Sequence, residues 1–156
     1  MKRAKDCGFT AVEMLVVISI VGLALGASWG SVRDLMEQNR VNGAANQLAT
    51  HLRLARERSV AEGNNIIVTF RTAQNNYQIW DDEGSDALLG PDDSRRTHQM
   101  PVRVALRNPS FFGANRVIFR ADGTTDATGS VEVLSGASAR RIDVLASTGK
   151  VTVSIP

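Results

Sequence analysis

Few residues of this chain are placed to do covalent chemistry. His51 and His98 are its two histidines, far apart along the chain, and Cys7 is its one cysteine. A hydrolase would need a nucleophile with a base beside it. Gly26-Ala27-Ser28-Trp29-Gly30 matches Gly-x-Ser-x-Gly letter for letter. That elbow needs a strand before it and a helix after it, and here it lies in an apolar run that reads as helix throughout. His51 falls on an amphipathic helix and reads as a surface residue, not a base. A single cysteine makes neither an intramolecular disulfide nor a thiolate zinc site. The charged residues Arg3-Ala4-Lys5-Asp6 before it lack the small apolar pattern expected of a lipid-carrying cysteine. There is no phosphate-binding loop and no dinucleotide fingerprint. These residues point away from an enzyme, and neither a cofactor nor a metal site is read from them.

The residue whose chemistry does need explaining is Glu13. From Phe9 to Val32 the chain is almost wholly apolar over 24 residues, and Glu13 is its one charge. As a helix the run spans about 36 Å, enough to cross a hydrocarbon core of about 30 Å. Lys2, Arg3 and Lys5 precede it, which keeps the N-terminus cytoplasmic and sends the rest across. A carboxylate in the bilayer costs at least about 2.5 kcal/mol, so it needs a partner, and no base follows it until Arg33. If the chain is cut between Gly8 and Phe9, the new α-amino group supplies a cation at that depth. It lies one helical turn from Glu13 on its own chain and can pair with Glu13 directly on a shifted neighbour. A cleaved secretory signal ending near Ala24-Leu25-Gly26 is the competing reading. Asp6, Glu13 and the length of the apolar run count against it.

Gly8-Phe9-Thr10-Ala11-Val12-Glu13 resembles the prepilin processing signal of type IV pilins and type II secretion pseudopilins. The family pattern is a short basic leader ending in Gly, then Phe, Thr, a Glu shortly after, and about twenty apolar residues. The resemblance implies cleavage after Gly8, N-methylation of Phe9, and a role for Glu13 in guiding the subunit into a filament. Gly22, Gly26 and Gly30 are spaced by four, a small-residue stripe that lets helix backbones approach closely in lipid. Major pilins usually carry a Pro where Gly30 stands, which argues against an abundant shaft subunit.

Beyond the apolar run the helical pattern becomes amphipathic. Val41, Ala45, Leu48, Leu52, Ala55 and Ser59 form one stripe. Gly63 is placed to cap the helix end, and Asn42-Gly43 is a point where it could bend. Leu52-Arg53-Leu54-Ala55-Arg56 resembles the Leu-Arg-x-Ala-Arg run of the GspH/FimT branch of pilin-like proteins. From Ile66 on the pattern is β. Strands are expected at 66–70, 76–80, 102–106, 116–120, 130–134, 141–145 and 150–155. The final hairpins, with a Gly in each turn, again resemble that branch. The expected fold class is α+β and pilin-like: a long N-terminal helix, its first half membrane-spanning, packed on an antiparallel β-sheet or a two-sheet C-terminal domain. The expected division is a leader at 1–8, a transmembrane half-helix at 9–32, a periplasmic amphipathic half at 33–63, and a β-rich domain at 64–156.

The net charge of +2 resides in the leader, whose three bases and one acid leave 15 of each sign in the remainder. The basic balance therefore does not point to nucleic acid. Residues 81–93 carry six acids and no base, and they read as a solvated loop; their spacing does not match an EF-hand calcium loop. The rest of 64–156 has ten bases against four acids, with Arg140, Arg141 and Lys150 near the end. These three are the candidate DNA contacts, a less favoured reading because no aromatic residue follows Phe119 to stack on a base. The expected function is that of a minor pilin in the bacterial inner membrane, with its β-domain in the periplasm. It would be processed by a prepilin peptidase and join other minor and major pilins on an inner-membrane assembly platform to prime or cap a type IV pilus. The equivalent subunit of a type II secretion pseudopilus is the alternative within the family, and a DNA-uptake pilin the alternative of another class.

Overall fold

The computed structural model describes residues 10–82 and 94–156, apart from the side chains of 27–29 and 31. The leader, Phe9 and most of the acidic 81–93 stretch lie outside the described residues. The chain forms two units, Met1–Met36 and Glu37–Pro156. One helix, α1, runs over Ala11–Glu62 without a break at Asn42-Gly43. It stops where expected: Gly63 takes φ +73°, and its N–H donates to the Ser59 carbonyl at 3.1 Å.

The amphipathic stripe is the buried one. Val41, Ala45, Leu48, Leu52, Ala55 and Ser59 are all within 1% of complete burial. They form one core with side chains from two four-stranded antiparallel sheets. In chain order the strands are β1 (Asn65–Arg71), β2 (Asn76–Asp82), β3 (Arg95–Gln99), β4 (Ala105–Phe111), β5 (Arg116–Phe119), β6 (Gly129–Ser135), β7 (Ser138–Leu145) and β8 (Lys150–Ser154). The first sheet has the order β3-β2-β1-β5, and the second β4-β6-β7-β8. Phe70 of β1 and Phe111 of β4 stack at 5.3 Å and so join the two sheets inside the core. Burying each such aromatic or aliphatic side chain stabilises the fold by about 1.5–3 kcal/mol.

Two strands depart from expectation. The strand expected at 102–106 begins later, at Ala105. Pro101 accepts a bond from the Val104 N–H, and Arg103 takes φ +67°, so 101–104 turn before the chain extends. Strand β3 has no apolar alternation at all. Its sequence, Arg-Arg-Thr-His-Gln, is mostly exposed, and it forms by pairing along the edge of β2, with His98 opposite Tyr77 and Arg96 opposite Ile79. Its polar side chains suit an edge strand.

Among the described residues no helix is long and apolar enough to cross a membrane. The expected span of 9–32 includes Phe9 and the side chains of 27–29 and 31, which lie outside them. The uninterrupted stretch 10–26 is shorter than the roughly 20 residues a crossing needs.

Candidate functional site

Helix α1 opens on a side-chain cap. The Glu13 N–H donates to Thr10 Oγ1 at 3.2 Å, and the Met14 N–H to the Thr10 carbonyl at 3.2 Å. Thr10-x-x-Glu13 is the spacing of a capping box, and the Glu13 carboxylate stands in the first turn, where the helix dipole favours an anion. Glu13 thus has a local role besides the assembly role implied by the resemblance. Around it Val12, Leu15, Ile18 and Leu23 are each more than two-thirds exposed in the single chain. The Ser19 hydroxyl turns inward and donates to the Leu15 carbonyl at 2.8 Å, so it needs no outside partner. At Gly22, Gly26 and Gly30 an added Cβ would meet nothing within 4 Å. The described chain therefore makes no use of their small size. The face they form is open for another backbone to approach.

In the second unit, the Leu-Arg-x-Ala-Arg run acquires a physical meaning. Leu52 and Ala55 point into the core, and the two arginines reach sideways, one onto strand β8 and one onto the turn between β5 and β6. Arg53 Nη2 donates to the Val151 carbonyl at 3.2 Å, and Arg56 Nε to the Gly123 carbonyl at 3.0 Å. Ser59, fully buried, donates to the Arg56 and Arg120 carbonyls at 2.8 and 3.1 Å. Gly149, at φ +59°, lets its turn close against this clamp. A Cβ there would fall 2.4 Å from the Gly123 carbonyl oxygen and 2.8 Å from Arg56 Cδ. The run thus fastens the helix to strand β8 of the last hairpin and to the turn between β5 and β6.

The candidate DNA contacts do not form one patch. Arg140 shares a face of β7 with the buried Ile142 and Val144, and its Nη1 donates to the Ala139 carbonyl at 2.7 Å. Arg141 points to the other face and pairs with Glu132 at 3.1 Å. The hydrogen bonds from Arg141 and then Asn108 hold the Glu132 carboxyl below its usual range. Lys150 opposes Leu145 at the far end of the β7–β8 ladder from Arg141, which opposes Ser154. Four residues of strand separate the two, about 13 Å. The structure instead brings Lys150 beside Arg53 and Arg56, where they line a concavity of about 380 Å³ with Glu57, Thr148 and Gly149. That grouping depends on the docking of helix on hairpin, and no local spacing signals it.

The two histidines, distant in sequence, also meet. Their ring centroids are 4.3 Å apart, and His51 Nδ1 lies 2.6 Å from the Tyr77 hydroxyl. Pairing of β3 with β2 stacks His98 on Tyr77, a contact that no apolar alternation in β3 signals. Burial, then the neighbouring His98, lowers the His51 pKa; burial, then Arg96, lowers that of His98. Burial pushes the Tyr77 hydroxyl up to about 12. His51 is accordingly a half-buried helix residue rather than a free surface one. Among the described residues no group of three or more His, Cys, Asp or Glu could hold a metal ion.

The sequence model of the family described as "Type II transport protein GspH" matches residues 44–149. No curated protein matches the chain. Among solved structures, the minor pseudopilin EpsH from the type 2 secretion system of Vibrio cholerae superposes with a TM-score of 0.60 at 10% identity. The alignment covers 75% of this chain and 98% of that one. The type IV minor pilin FimU of Pseudomonas aeruginosa superposes with a TM-score of 0.58 at 16% identity, covering 74% of this chain and 89% of that one. At such identities the two structures carry the fold, and the match to the family model carries the membership. The chain belongs to the GspH family and is a minor pilin or pseudopilin of the GspH/FimT type.

Proposed function

We propose that the chain is a minor pilin that assembles with other pilin-type subunits to prime or cap a type IV pilus. Before assembly, residues 9–32 hold it in the inner membrane, and the unit from Glu37 on lies in the periplasm. A prepilin peptidase cuts after Gly8 and Phe9 is methylated. The observation that carries this reading is the first half of α1: a wall of exposed apolar side chains, an open glycine face, and one carboxylate in the first turn. Such a surface calls for cover by lipid and then by neighbouring helices. The Phe9 amine of a neighbouring subunit is the cation that would answer Glu13. Extraction onto an inner-membrane platform for assembly follows from the same reading.

Mass spectrometry of the membrane-extracted protein should find an N-terminus at Phe9 carrying a methyl group. Glu13→Ala should leave the β-domain folded and reduce co-purification with other pilin-type subunits. An N-terminus at Met1 or near Ala27, or undiminished co-purification, would count against the proposal. The family description and the EpsH fold favour a second reading, the corresponding subunit of a type II secretion pseudopilus. Deleting the gene separates the two, since loss of surface pili supports the first and loss of protein secretion the second.

A further inference from the structure

The turn between β4 and β5 breaks a folding rule without any return among the described residues. Phe111 and Ala114 close it with a pair of backbone bonds, 2.9 Å from the Ala114 N–H to the Phe111 carbonyl and 3.3 Å for the reverse. Its two central residues, Phe112 and Gly113, both take positive φ, +45° and +82°. This is the pattern of a type I′ hairpin, whose first central position favours Asn, because a side chain with a bulky Cβ substituent crowds the left-handed backbone. Phe112 stands there and is 97% exposed, so its ring gains no burial to offset the strain. A strained residue with no structural return is where function is to be sought.

Its setting fixes the backbone from which Phe112 projects. The turn has only two residues, and Phe111 before it is fully buried and stacked on Phe70. The backbone at Phe112, and with it the direction of the Cα–Cβ bond, is therefore set by the core, and only the side-chain torsions remain to be fixed on binding. Along the chain from Ser94 to Arg120 the charge has one sign, six arginines and neither Asp nor Glu. Arg107 and Arg116 are the two nearest Phe112 in sequence, and Arg107 opposes Glu132 across the sheet. Arg107 is exposed on β4, and Arg116 begins the strand that leaves the turn. Pro109 and Asn115, on either side of the turn, line an open groove of about 550 Å³ with Thr72 and Ala73.

We infer that Phe112 is a docking anchor that inserts into an apolar socket rimmed by carboxylates on another pilin-type subunit. Aromatic anchors flanked by arginine are the composition of binding hot spots. A rigid direction suits a preformed protein socket; a lipid layer makes no use of it, and a lone ring offers no stacking track to a nucleic acid strand. This inference rests on the assembly reading above.

The test uses the full chain co-expressed with the other pilin-type subunits of its own organism. Phe112→Asn removes the ring and suits the turn, so its thermal midpoint should rise by about 2–4 °C. Recovery of the partner subunit should nevertheless fall about tenfold or more, and Phe112→Trp should retain it. Undiminished recovery with Phe112→Asn, while Glu13→Ala abolishes it, would overturn the docking role and leave the assembly reading standing. If the wild-type chain recovers no subunit, the assembly reading fails and the docking role with it. A lowered midpoint in Phe112→Asn would make the residue structural. Binding to oligothymidylate or to phosphatidylglycerol vesicles that the same substitution abolishes would reassign the anchor to nucleic acid or lipid and overturn the inference.

Discussion

Replacing Gly149 by Ala tests whether the arginine clamp holds the last hairpin against the helix. Two costs add. At φ +59° an L side chain costs about 1–2 kcal/mol in the left-handed region. The new methyl would also sit 2.4 Å from the Gly123 carbonyl oxygen and 2.8 Å from Arg56 Cδ, so the clamp must open. Breaking a hydrogen bond from a charged donor costs about 1.5–3 kcal/mol. The expected destabilisation is therefore about 2.5–5 kcal/mol. Gly63→Ala is the matched control, with φ +73° and nothing within 4 Å of the added carbon. It should show the backbone cost alone, about 1–2 kcal/mol. Urea unfolding of a fragment of residues 34–156, which contains the entire buried core, measures both. Equal losses in the two variants would show that the clamp contributes nothing. If Arg56 is the obstacle, Gly149→Ala should also cost less in an Arg56→Ala background, because the crowded atom is gone.

Further outcomes follow from the histidine pair and from the separated basic residues. Both histidines have folded pKa values below the ordinary 6.5, so on acidification the unfolded chain takes up protons first. Their contribution is fully present above about pH 6.5 and is lost as pH falls through the lowered folded values. Stability of the 34–156 fragment measured from pH 7.5 down to 5 should decline less steeply in His98→Gln than in wild type; His98→Gln removes both a titrating group and the repulsion it exerts on His51 beside Arg58, Arg96 and Tyr77. Parallel declines would exclude the pair as the source. In a gel-shift titration at physiological salt, the same fragment should bind duplex DNA weakly or not at all, since Arg141 is paired with Glu132 and Arg140 lies on the opposite face. Micromolar binding abolished by Arg140→Ala/Arg141→Ala would refute that.

Helix α1 was legible because its signals are local and agree. The three- and four-residue spacing from Val41 to Ser59 predicted six residues of the buried stripe, and Gly63 the stop; Ala44 and Ala49, also buried, widen that stripe beyond the expected one. Strands whose inward residues are β-branched, such as β1, β6 and β8, were legible for the same reason. Strand β3 was not, because its place is set by the edge of β2 and not by its own side chains. Nor was the true start of β4, where Val102 and Val104 imitate a strand that the Pro101 turn forbids. Site residues divide along the same line. Glu13 announced itself as a lone charge in an apolar run. The clamp of Arg53 and Arg56 and the His51–His98 contact exist only once the helix, the edge strand and the last hairpin have docked.

A physical asymmetry separates the two units. In the second, polar groups are answered from within: on the helix Ser59 by two carbonyls and Arg53 and Arg56 by one each, and on β6 Glu132 by Arg141 and Asn108. In the first, the described side chains answer almost nothing except their own helix. Leucines and valines lie open, and three glycines forgo side chains that would have met no obstacle. Glycine in a helix interior costs about 1 kcal/mol relative to Ala, so the stripe at Gly22, Gly26 and Gly30 weakens the isolated helix without improving any contact among the described residues. Phe112 does the same on the second unit, strained and exposed at once. Residues that lower the stability of the single chain make sense where the single chain is not the final state. On the assembly reading proposed above, the helix face and the turn of β4 and β5 would be two separate contacts, and Glu13→Ala and Phe112→Asn should impair assembly independently, their effects adding in the double variant as they do for distant sites.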